Sequence, residues 1–114
     1  MKRIDAKRLA LLTQIAEIKA ARAKAAAAAR LRHLQALEMQ RSEIVQMKSR
    51  VQPGLADPAV AAQTARWMVG FDAKMRELSA ETARARVGVD TERETARFEE
   101  GRRQVLSKLG DQAS

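Results

Sequence analysis

The stretch "VQPGLADP", Val51–Pro58, holds both prolines of a 114-residue chain. Pro53-Gly54 is a turn signal, because proline fixes φ and glycine accepts the backbone conformations that a tight reversal needs. Asp57-Pro58 reads as a helix start. The Asp carboxylate accepts from unpaired N–H groups, and proline suits the first helical position. Nothing comparable interrupts the chain on either side. Two uninterrupted helices are therefore predicted, over about 3–50 and about 58–109, with a turn over about 51–57. At 1.5 Å per residue each arm is roughly 70–78 Å long. Two helices of matched length joined by a short loop fold most simply into an antiparallel hairpin. The expected fold class is all-α, a single coiled-coil hairpin over residues 1–114.

Composition agrees. Ala, Arg, Glu, Lys, Leu and Gln dominate, 32% of residues are charged and only 3% are aromatic. That is the make-up of long helices, with too little large apolar surface for an enclosed substrate pocket. Cysteine is absent, so disulfides and thiolate metal sites are excluded. No window of about 18 apolar residues exists to cross a membrane. The alanine run of "ARAKAAAAAR", Ala21–Arg30, lies behind Asp5 and Glu17 and is too weakly apolar for a targeting segment.

Heptad spacing is the next signal. Phe71, Met75, Leu78, Thr82, Ala85 and Val89 alternate steps of four and three, a coiled-coil seam. A phase slip is expected around Glu92–Ala96, after which Phe98, Val105 and Leu109 resume a seam. In the first arm Ile4, Leu11, Ile15 and Ile18 form one seam. Leu31, Leu34, Leu37, Ile44, Met47 and Val51 form another, with Arg41 intruding and phase drift in the alanine run between them. A loop centred near 54–55 makes the numbers of facing residues add to about 109. Leu31 then faces Leu78, Leu34 faces Met75, Leu11 lies near Phe98 and Ile4 near Val105. The alanine run faces "AETARARVG", Ala80–Gly88, which predicts a narrow waist of small residues on both sides. Gly88 falls at that waist, and Gly70, Gly88 and Gly101 each cost up to about 1 kcal/mol of helix propensity against Ala.

Charge is uneven. The net charge is +8, and all of the excess lies between Met1 and Gln52; Asp57–Ser114 is neutral. A basic excess fits nucleic acid, anionic lipid or an acidic protein, or simply a solvated helix surface.

Catalytic and metal-binding patterns are missing. There is no phosphate-binding loop, no His-Glu metal pair and no nucleophile with a base. His33 stands alone beside the Leu31/Leu34 face, and Glu92, Glu94, Glu99 and Glu100 have Arg93, Arg97, Arg102 and Arg103 at helical spacing, which reads as ion-pair decoration. No enzyme activity, cofactor or small-molecule substrate is expected. The one notable cluster is "RWMVGF", Arg66–Phe71, near the hairpin tip. Trp67, Met68 and Phe71 carry more apolar surface than a two-helix seam covers. They read either as seam packing or as a partner site, tryptophan being favoured at binding hot spots.

The whole pattern resembles the flagellar export stalk family, FliJ, and its type III secretion counterparts. "RLALLTQIAEIKAARAKAAAAAR" is similar to that family's opening helix, "LRHLQALEMQR" to the approach to the tip, and "RFEEGRRQVLSKL" to its closing segment. The resemblance implies a cytoplasmic stalk, peripheral to the membrane through its partners alone. One end would enter the hexameric export ATPase ring, and apolar residues early in the second helix would touch the export gate. The family's gate surface spaces Phe, an aliphatic, a small residue and His along one face. Phe71, Met75, Leu78 and Thr82 have the spacing, but Leu78 and Thr82 depart from the residue types. Candidate partner-binding residues are thus Trp67, Phe71 and Met75 at the tip, with Arg3, Arg8, Arg102 and Arg103 at the open end, where Lys2, Lys7 and Lys108 add charge. Two alternatives stand beside this reading. One is a basic coiled coil that binds nucleic acid, against which the first helix lacks interleaved aromatics. The other is a structural or chaperone-like coiled coil that dimerises into a four-helix bundle.

Overall fold

The computed structural model describes residues 5–51 and 57–113. Two helices account for nearly all of them, α1 (Ala6–Arg50) and α2 (Pro58–Ala113), with no strand among the described residues. The chain is an all-α helical hairpin, as expected. Its predicted turn residues 52–56, and Lys2, Arg3 and Ile4, lie outside the described residues.

Both helix starts are set by aspartate caps. Asp57 Oδ1 accepts from Ala59 N at 3.0 Å, and its carbonyl accepts from Ala61 N at 2.9 Å. Pro58 occupies the first helical position, where a missing N–H costs nothing. Asp5 does the same for α1, accepting from Lys7 N at 3.0 Å through its carboxylate and from Leu9 N at 2.9 Å through its carbonyl. That cap starts α1 at Ala6 rather than near residue 3. At the other end α2 runs on to Ala113 instead of stopping near 109.

The chain forms two compact units, Arg32–Val87 and Met1–Leu31 with Gly88–Ser114. In the first, α1 buries Leu34, Leu37 and Ile44, and α2 buries Leu78, Thr82 and Ala85, with Met68, Phe71 and Met75 half-buried. The α2 seam predicted from Phe71 onward is thus in place. Thr82 is only 1% exposed and satisfies its hydroxyl by donating to Leu78 O of its own helix at 2.6 Å. Arg41 takes a half-buried seam position, its Nε buried without a hydrogen-bond partner among the described residues. Met47 is a correction: it is 45% exposed and stands beside the seam.

In the second unit the helices also run antiparallel, since Lys24 pairs with Glu100 and Arg30 with Glu92. Here the predicted seams are overturned. Leu9, Ala16, Ala20 and Ala23 are buried, whereas Leu11, Ile15 and Ile18 are 41–56% exposed. On α2, Val89 is buried and Glu92, Ala96, Glu99, Arg103, Leu106 and Gly110 are half-buried, whereas Phe98, Val105 and Leu109 are exposed. The physical reason is phase. From Leu9 through Thr13, Ala16, Ala20, Ala23 and Ala27 the steps alternate four and three; half-buried Leu31 follows four on, and the same heptad phase continues at Leu34, Leu37, Arg41 and Ile44. On α2 it runs from Thr64 to Gly110 with no slip at Glu92–Ala96.

The register also differs. Lys24 pairs with Glu100 where a loop-centred fold would set Ala85, and Lys48 pairs with Asp72 where it would set Ala61. The displacement is roughly three to four turns. Leu34 therefore does not face Met75, and Leu11 does not face Phe98. Leu31 and Leu78 belong to different units. The waist of small residues against small residues is not formed either. Ala20–Arg30 lie at the level of Glu92–Arg103, so the stems of long charged side chains cover the alanines. A Cβ on Gly88 would meet the Arg30 side chain at an ordinary 3.6 Å, so no helix backbone demands a glycine there.

Leucine substitution separates the two seam assignments. Ala20, 1% exposed, should lose about 1–3 kcal/mol on change to Leu through overpacking, while exposed Ala21 accepts Leu without loss. Thermal melts of Ala20→Leu and Ala21→Leu check this, and equal melting temperatures would contradict it.

Candidate functional site

The residues singled out for partner binding fall in three environments. In the Arg32–Val87 unit, Met68 and Phe71 occupy consecutive seam positions of α2, and Met75 follows in the same row, all half-buried. Trp67 precedes the seam row by one residue and turns to its flank, 52% exposed. Val60 and Val69 are exposed as well, at 45% and 66%, and Pro58–Gln63 are exposed throughout. The start of α2 therefore presents an indole and two valines to solvent, with Phe71 and Met75 committed mainly to the seam. Beside them Lys48 Nζ donates to Asp72 Oδ1 at 2.7 Å, next to Val45, Met75 and Arg76.

In the other unit the basic candidates separate by one residue. Arg8 is exposed. Arg102 is exposed and lies over the Phe98 ring, its guanidinium 5.9 Å from the ring centre. Arg103 turns inward to the seam, where its Nε and one terminal nitrogen donate to both oxygens of Glu100 at 2.9 and 2.8 Å. Lys24 reaches the same carboxylate at 3.1 Å. Arg103 is thus engaged within the fold. Arg3 lies outside the described residues.

The cluster has an electrostatic consequence. The hydrogen bond from Arg103, and after it the one from Lys24, hold the Glu100 carboxyl at about 2, below the ordinary 4.5. The Arg103 guanidinium is raised in turn by Glu100, and Glu17 adds a smaller coulombic contribution. This is chemistry of folding, with no arrangement of nucleophile and base around it. His33 is exposed on α1. No group of three or more His, Asp or Glu side chains among the described residues could hold a metal ion. Neither helix contains a segment long and apolar enough to cross a membrane, among the residues described.

Reading large apolar residues as seam residues hid a second surface. Leu11, Leu12, Ile15 and Ile18 on α1, and Phe98, Val105 and Leu109 on α2, all face outward. The signal was available: α1 carries two interleaved four-three rows, and only one can meet α2. The chain matches no family model, no curated protein and no solved structure.

A carboxylate whose pKa is depressed on folding stabilises the native state above its unfolded value and ceases to do so as it protonates. For Glu100 that contribution is complete above about pH 4.5 and is lost as the pH falls toward about 2. Glu100→Gln should therefore flatten the fall in melting temperature across this window. Carboxyl NMR should place the Glu100 midpoint near the lower value; a midpoint near 4.5 would show the triad is not formed.

Proposed function

We propose that the chain is a non-enzymatic stalk or adaptor of the flagellar, or type III, protein-export apparatus. In this reading it binds the hexameric export ATPase at the end carrying Arg8 and Arg102, and the export gate through the start of α2. It works in the cytoplasm and meets the inner face of the membrane only through its partners. Its action is mechanical: a hairpin of two long helices biases the subunits of a ring unequally and carries that bias to a second partner. Cofactors and small-molecule substrates play no part.

The observation that best supports the reading is Trp67. A tryptophan 52% exposed on a helix flank, beside half-buried Phe71, is costly in water and is the kind of residue that anchors interfaces. The similarity to FliJ motifs supplies the identity of the machine, and the exposed Arg8 and Arg102 supply charge for acidic ring loops.

The test is Trp67→Ala, measured for capture of the export-gate cytoplasmic domain and for helicity. Truncating a hot-spot aromatic costs about 2 kcal/mol or more, roughly a 30-fold loss of affinity. An exposed side chain contributes little to the hairpin itself, so circular dichroism and melting should hardly change. If the parent chain captures neither the gate domain nor the ATPase hexamer, the reading fails. Steeply salt-dependent oligonucleotide binding in their place would favour the nucleic-acid alternative.

A further inference from the structure

We propose that one flank of the unit formed by Met1–Leu31 and Gly88–Ser114 is a docking groove for an acidic amphipathic helix of a partner protein, completing a three-helix bundle. The proposal uses none of the residues at the start of α2, and it shares Arg8 and Arg102 with the end assigned above to the ATPase ring.

The heptad rows identify the flank. Leu12 and Ile15 lie on one side of the α1 seam row, 45% and 41% exposed, while Leu11 and Ile18 stand on the back of α1, away from α2. Phe98, Val105 and Leu109 lie on the corresponding side of α2, 39–62% exposed. In an antiparallel pair these two sides adjoin, because equivalent heptad flanks meet across the seam. The Lys24–Glu100 and Arg30–Glu92 pairs fix the register and bring Ile15 level with Leu109, with Leu12 about one turn further along α2. Residues of both helices therefore lie along one flank, and the recess on it is lined by α2, by Arg97, Phe98, Gly101, Arg102, Val105 and Leu106.

The recess has the geometry of a helix site. Phe98, Gly101, Arg102 and Val105 stand at i, i+3, i+4 and i+7, the four corners of a hole that receives one knob from a neighbouring helix. Gly101 forms its floor, and a Cβ built there would meet nothing within 4 Å. On α1, Leu12 and Ile15, three residues apart, add apolar surface on the adjoining flank.

Charge decides the occupant. Arg8, Lys19, Arg22 and Arg102 are exposed along this flank. Its acids are Asp5, engaged as the α1 cap, and Glu94. On the opposite flank Glu100 pairs with both Lys24 and Arg103, and Glu17 balances the second cation by its coulombic attraction to Arg103. A second copy would set this basic rim against another basic rim, and like charges across an interface are repelled. A helix with a leucine row and glutamate margins fills the recess and neutralises the rim. A flat lipid surface would leave the hole at Gly101 without a knob.

The probes are two four-heptad peptides with identical leucine rows, one with glutamate and one with lysine at the flanking positions, titrated calorimetrically against the full chain. The glutamate peptide should bind at least about tenfold more tightly than the lysine peptide. Gly101→Leu, which fills the hole, and Ile15→Glu, which places an acid in the apolar border, should each weaken it about tenfold or more while helicity is retained. Arg102→Glu is a third variant should either of these fail to fold. Trp67→Ala should leave the affinity unchanged, which separates this site from the gate contact of the export reading. Equal affinity for both peptides, no binding, or indifference to the variants would overturn the proposal. So would a dimer of the chain that Ile15→Glu dissolves, or attachment to phosphatidylglycerol vesicles with no peptide binding.

Discussion

An unbroken α-helix buries one stripe against a single partner helix, and the phase of that stripe persists as long as the hydrogen-bonded turns do. In α1 the phase is set where the apolar residues are densest, at Leu34, Leu37 and Ile44 against the row of Leu78, Thr82 and Ala85. Each of those positions buries a side chain worth about 1.5–3 kcal/mol when it is a full aliphatic. Toward Leu9 no proline, slip or bulge intervenes, so the same phase brings Ala27, Ala23, Ala20 and Ala16 inward. Leucines and isoleucines one position away are left outside. The cost of exposing them is a consequence of continuity in the helix.

Alanine in the seam then determines what α2 can place against it. Glu92, Glu99 and Arg103 keep the heptad row of α2 in phase, and their aliphatic stems pack where a leucine would otherwise sit. Their charged ends must be paired nearby. Glu100 answers this with two cations, Arg103 and Lys24, whereas Glu99 leaves Oε2 buried without a hydrogen-bond partner among the described residues. The same arrangement leaves one flank neutral and polar and the other apolar and basic, which is where the proposed helix site lies.

Much of the fold was legible in residue order. Both prolines and Asp57 located the break and the start of α2, and the row from Phe71 to Val89 marked its buried face. The partner side of α1 before Leu31 was not legible by choosing the largest apolar residues, because Leu11, Ile15 and Ile18 form a four-three row as regular as that of Leu9, Ala16 and Ala20. Only continuity with Leu34 distinguishes them. The register was misjudged for a different reason. A loop-centred fold assumes that α2 pairs from its first turn, whereas Pro58–Gln63 are exposed and the Lys48–Asp72 pair lies further along. Of the candidate site, Trp67 was recognisable from its residue type, but Arg102 and Arg103 could be told apart only by phase.

The claim that phase continuity overrides residue size can be tested directly, because the chain contains no cysteine to interfere with labelling. Single cysteines at Leu11, Thr13, Ile15, Ala16, Ile18 and Ala20 would be scored for their rate of thiol alkylation under native conditions. The account predicts slow reaction at Ala16 and Ala20, intermediate reaction at Thr13, and fast reaction at Leu11, Ile15 and Ile18. The reverse pattern, with Leu11, Ile15 and Ile18 protected and Ala16 and Ala20 reactive, would contradict it.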